Sequence, residues 1–281
     1  MKKYVLFDSI LDINHTLPLV SSAKELFAVL GFDIPVLSGA SKDKGLEFRG
    51  EDSFAFYLQN AKTLALAGVQ KSDIVCAEDS SFLSLKCTLS KLQEDEKIKD
   101  MVIDELKKES LELSFDVEIL TMADFIIKEF GLKKLKKETK NSFDKFLAAL
   151  YLGSYQCQLS KYADSNSYEK LLETVGLKLV SYDLKNQVCG YEISDTDEKL
   201  SYKMAGALML DMFDNAADFV VINDARSFVM FDELQKELES VVGREIGLAV
   251  FTLAEVLMMA LGVSDKKRLG LDNHAVKSDI V

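Results

Sequence analysis

Four cysteines and two histidines are the side chains best suited to redox, metal or acid–base chemistry in this 281-residue chain. Cys76, Cys87, Cys157 and Cys189 form no C-x-x-C pair and have no secretory context, so a disulfide framework is not expected. Cys76 falls in a strand pattern and Cys87 in a helical one, where a thiol serves as a small packing residue. Cys157 and Cys189 sit in loop-like segments. They read either as two buried packing residues or as a redox-active pair, and nothing local lowers either pKa. His15 lies in Asp12-Ile13-Asn14-His15-Thr16, near Asp8, a grouping that suits a polar turn better than a site. His274 follows Gly270-Leu271-Asp272-Asn273 and is placed to anchor the last stretch of chain, with a metal role as its second reading.

Two further clusters, Glu78-Asp79-Ser80-Ser81 and Asn223-Asp224-Ala225-Arg226-Ser227, each follow an apolar run. Ligands bind at such places in open α/β sheets, while Ser and Asp there also serve as helix caps. Arg226 is the candidate for holding an anion. No G-x-G-x-x-G follows a strand, and neither a G-K-[ST] loop nor a G-x-S-x-G elbow occurs, so nucleotide-binding and hydrolase readings lack a motif.

The elements that must position these residues alternate between apolar runs and helical patterns. Strands are predicted at Lys3–Phe7, Phe32–Leu37 and Asp73–Ala77. Helices are predicted at Leu19–Leu30, with Ser21 and Ser22 as caps and Gly31 as stop, and at Asp52–Ala67, stopping at Gly68. Phe82–Lys91 continues as helix behind the Glu78 cluster. Glu94–Leu113 is a charged helix with Met101, Val102, Leu106 and Leu111 as its apolar face, and Asn141–Leu152 reads as a helix or a helix-to-strand junction. Lysines 133, 134, 136, 137 and 140 read as a solvated segment. Such alternation points to parallel sheets with crossover helices.

A repeat runs through this pattern. Val117–Ile127, ending in Phe130-Gly131-Leu132, and Leu248–Met258, ending in Leu261-Gly262-Val263, carry Thr, Ala, an acid and Gly in register. Glu78-Asp79-Ser80-Ser81-Phe82 matches Asp224-Ala225-Arg226-Ser227-Phe228, and Val36-Leu37-Ser38-Gly39 matches Gln187-Val188-Cys189-Gly190. The expected architecture is two pseudo-repeated α/β units, residues 1–145 with a helical connector at about 93–145, and residues 146–281.

Composition excludes some partners. A net charge of −12 argues against a nucleic-acid footprint and against an anionic membrane surface. The N-terminal apolar run stops at Asp8, too short for a signal-peptide core. Ile246–Val263, the most membrane-like stretch, carries Glu255 near its middle and reads as a strand plus a helix. No transmembrane segment and a cytoplasmic location are expected.

The second copy, around Leu184–Tyr191, resembles the CCG domain found in the HdrB component of heterodisulfide reductase and in related iron–sulfur proteins. In that family each repeat supplies a cysteine after its first strand, a Cys-Cys-Gly on a later loop and a C-x-x-C at a strand-to-helix turn. The resemblance puts Cys157 at the first position and Cys189 and Gly190 in the Cys-Cys-Gly, with Val188 for the leading cysteine. It puts Asp224 and Ser227 at the C-x-x-C. In the first copy Ser9, Leu37, Ser38, Glu78 and Ser81 stand in the ligand positions. It therefore implies a degenerate cluster site. A cofactor-free chain is expected, with zinc on Cys157, Cys189, Asp224 and His274, or a residual iron–sulfur cluster, as alternatives. It also implies a non-catalytic accessory subunit that docks an iron–sulfur or flavoprotein redox partner. The alternative is a stand-alone small-molecule or thiol-binding protein using the cleft between the copies.

Overall fold

The computed structural model describes residues 3–8, 17–164, 166–278 and 280. Among these residues seven short strands, β1 (Tyr4–Phe7), β2 (Asp73–Cys76), β3 (Ile119–Leu120), β4 (Leu147–Tyr151), β5 (Lys178–Leu179), β6 (Phe219–Ile222) and β7 (Ala249–Thr252), form two parallel sheets. The first has the order β1-β2-β3 and the second β5-β4-β6-β7. A single parallel bridge, Leu6 with Val36, continues the first sheet beyond β1. It takes the place that β5 takes beside β4, so both sheets follow one order. The fold is α/β, as the alternating pattern predicts.

The inner parts of the sheets are apolar on both faces because helices cover both. β6 is buried throughout, as is β7. Predicted and observed elements differ where local propensity meets tertiary packing. Phe32–Leu37 contributes only the Val36 bridge. The helix over Leu17–Val29 already contains Ser21 and Ser22, whose hydroxyls bond back to carbonyls of their own helix. The helix Ser53–Val69 runs through Gly68, which lies so close to Ser114 that an added Cβ would stand 2.6 Å from its Cβ. Asp95 caps a new helix, Glu96–Lys108, with Val102 and Leu106 buried and Met101 exposed. The segment expected as a connector also holds β3, the helix Met122–Phe125 and a π-turn at Ile126–Phe130. The lysine-rich segment forms the helix Leu132–Glu138 with its lysines exposed.

The two halves exchange helices. Leu17–Val29, from the first, lies against β7 and the helix Leu253–Ala260, where Ser22 Oγ meets Thr252 Oγ1 at 3.0 Å. Asn166–Thr174, from the second, lies against Met122–Phe125, where Ser167 Oγ donates to Asp124 Oδ1 at 2.6 Å. The largest hydrophobic cluster accordingly draws on both halves, joining Val5, Phe27 and Phe125 to Phe219, Phe251 and Leu253. Among the described residues no helix is long and apolar enough to cross a membrane. Ile246–Val263 holds β7 and the helix after it.

Candidate functional site

The carboxyl ends of β2 and β6 meet. Asp79 N–H donates to the Asn223 carbonyl at 3.0 Å, joining the turn after β2 to the turn after β6. Each turn opens a helix with a carboxylate cap. Glu78 accepts from the N–H groups of Ser80 (3.0 Å) and Ser81 (2.6 Å), and Asp224 accepts from Ser227 N–H (2.9 Å) and its hydroxyl (2.5 Å). The two acidic clusters, read from the sequence as ligand sites or helix caps, thus face one another, and the carboxylates of Glu78 and Asp224 are engaged by the helices they start.

Arg226 crosses this junction. Its side chain is 2% exposed, Nη2 pairs with Glu47 Oε2 at 2.6 Å and Nη1 donates to Ser80 Oγ at 2.8 Å. Tyr155 hydroxyl donates to the other Glu47 oxygen. Gly45, at φ +83°, admits the guanidinium where a Cβ would sit 1.6 Å from Nη2. The expectation that Arg226 would hold an external anion is corrected: Glu47 already fills that role. Glu47 was not a candidate in the sequence, since 179 residues separate the partners and no motif links them.

The Cys189-Gly190 loop packs beside this junction. Gly190 has φ +88°, and a Cβ there would stand 2.8 Å from the Ser201 carbonyl oxygen, so the turn requires glycine. Cys189 is fully buried; its N–H donates to Ser154 Oγ at 3.1 Å, and that hydroxyl lies 3.5 Å from Sγ. Burial, followed by the charges of Glu192 and Asp224, pushes the thiol up to about 12, so it stays protonated. Gly153, next to Ser154, abuts Asp224, whose carboxyl burial raises to about 6. Cys189, Gly190, Asp224 and Ser227 are therefore in one neighbourhood.

The other predicted residues are not part of it. Cys157 is exposed on the short helix Gln156–Leu159. His274 spends both ring nitrogens on buried carboxylates, Nε2 with Glu255 at 3.0 Å and Nδ1 with Asp232 at 3.4 Å. Glu255 also closes a capping box with Thr252, and Asp232 accepts from Ala275 N–H at 2.7 Å, so His274 does anchor the last stretch of chain. Asp8 pairs with Lys24 at 2.6 Å; Ser9, Asp12 and His15 lie outside the described residues. Cys76 and Cys87 are buried packing residues.

A cubane iron–sulfur cluster takes about four thiolates. Here the one buried thiol of the site is held protonated, Glu78 and Asp224 cap helices, and Ser81 and Ser227 donate to those caps. Among the described residues no three His, Cys, Asp or Glu side chains are grouped to hold a metal. The residues present do not fit the family's cluster.

Comparison with known proteins agrees with the fold and the resemblance. A family model described as the HdrB-like C-terminal domain matches residues 191–275. The chain is 20% identical over 261 residues to the 8-methylmenaquinol:fumarate reductase membrane anchor subunit of Wolinella succinogenes, covering 91% of this chain and 90% of that one. It is 25% identical over 249 residues to the HdrB component of the ferredoxin:CoB-CoM heterodisulfide reductase of Methanosarcina mazei, covering 82% and 79%. A crystal structure of a hypothetical protein from Helicobacter pylori superposes with a TM-score of 0.83 at 23% identity; it covers 100% of this chain, which spans about half (53%) of that one. Residues 191–275 thus match an HdrB-like C-terminal domain, and the chain is similar to HdrB proteins along most of its length.

Proposed function

We propose that this chain is a cluster-free accessory component of a cytoplasmic redox complex, giving its partner shape rather than electrons. One observation carries the reading. At the positions that the family gives to its two C-x-x-C motifs stand the helix-capping carboxylates of Glu78 and Asp224 and the hydroxyls of Ser81 and Ser227 that donate to them, tied into a buried network around Arg226. Both named relatives are components of larger reductases, a fumarate reductase and a heterodisulfide reductase, which supports a docked role. We read the common strand order of the two sheets and the reciprocal helix contacts as the remains of one duplicated unit. The alternative, thiol binding in a cleft between the copies, is not favoured, because Cys189 is wholly buried.

The test is affinity purification of the tagged chain from anaerobic native extract. An iron–sulfur or flavin protein should co-elute, and the chain separated from it should be colourless and carry no stoichiometric iron. Recovery without any redox partner would end the docking claim. A brown chain with bound iron and sulfide would end the cluster-free claim.

A further inference from the structure

Where the ends of β2 and β6 meet, two buried acceptors lack a hydrogen. Asn223 Nδ2 donates to Asp79 Oδ1 at 3.1 Å, and the Tyr168 hydroxyl donates to that same oxygen. The other atom of each group, Asp79 Oδ2 and Asn223 Oδ1, is buried with no hydrogen-bond partner among the described residues. Turning the amide over would not help, because its oxygen would then face the carboxyl oxygen that its nitrogen now meets. An ionised Asp79 would leave two full acceptors bare in a dry interior, each carrying the desolvation cost of an unmade hydrogen bond, and more for the charged one. One hydrogen on Oδ2 satisfies both.

We infer that Asp79 keeps its proton and donates it from Oδ2 to Oδ1 of Asn223, closing an acid–amide ring that latches the central strands of the two sheets. The backbone bond from Asp79 N–H to the Asn223 carbonyl sets the two side chains in register for it. The charges facing Asp79 favour the neutral form. Glu78 precedes it on the same turn, Asp224 lies across the junction, and neither Tyr168 nor Asn223 brings a positive charge. Burial, followed by these carboxylates against the two hydrogen bonds, raises its pKa well above the usual carboxylate range. The latch is a proton-dependent joint between the halves, closed while the acid is neutral and strained once it ionises.

Infrared difference spectra in D2O test it. The whole chain should show a protonated-carboxyl C=O stretch that persists above pH about 7, the value to which burial and Glu78 raise Asp43. Asp79→Asn should remove that band. The same variant should keep the wild-type urea midpoint, because its amide offers Asn223 the same acceptor and a donor in place of the acid hydrogen; Asp79→Leu should lower it. A wild-type spectrum without the band above that pH overturns the proposal, as does a band that Asp79→Asn leaves in place. If neither variant folds, the wild-type spectrum still decides.

Discussion

At the scale of single residues, His274 shows how a side chain with metal-binding chemistry can be committed to structure. The two carboxylates outweigh the cost of burying the imidazolium and raise its pKa from 6.5 to about 10. The folded form therefore holds this proton more tightly than the unfolded chain. Its contribution is fully present below pH about 6.5 and is lost as pH rises through about 10. Unfolding in urea across that window should show stability falling with pH in the native chain. His274→Gln should flatten this slope and cost about 3–5 kcal/mol at neutral pH, because it leaves Asp232 and Glu255 buried without a counter-charge. The thiols divide just as sharply. Iodoacetamide under native conditions should label Cys157, which is exposed, and spare Cys189, which is buried and protonated; peptide mass spectrometry reads the difference. Equal labelling would mean that the loop opens.

At the scale of elements, the junction of the two strand-to-helix turns rests on an ion pair that short-range signals cannot reveal. Arg226→Leu should destabilise by about 3–5 kcal/mol, since it strands Glu47 and its buried neighbours. A double-mutant cycle with Glu47→Gln should return a coupling energy of about 0.5–3 kcal/mol. Additive losses would mean that the pair contributes little beyond its parts. Strand-cap-helix units were legible because their code lies within a few residues: Thr121 and Thr252, which the repeat aligns, each accept from the N–H three positions on. β4 was not, because Leu-Ala-Ala-Leu is equally good helix sequence and only its neighbours β5 and β6 make it a strand. The convergence of Cys189, Gly190, Asp224 and Ser227 followed from the resemblance, whereas Glu47 and Ser154 came from loops without any pattern to mark them.

At the scale of the whole molecule, two sheets with a shared hydrophobic cluster should melt together. Calorimetry is expected to give a single transition whose calorimetric and van't Hoff enthalpies agree, and residues 146–281 expressed alone should lack near-ultraviolet circular dichroism. Two resolved transitions would show that the halves are independent. The reciprocal loan of helices between the halves also has a cost at birth. While the ribosome is still making the second half, the face of Met122–Phe125 that Asn166–Thr174 will cover stays bare, and Leu17–Val29 lacks β7 and Leu253–Ala260 to rest on. The nascent N-terminal half must then wait in a sticky, half-dressed form, which makes it a natural client for holding chaperones until the last strand leaves the exit tunnel.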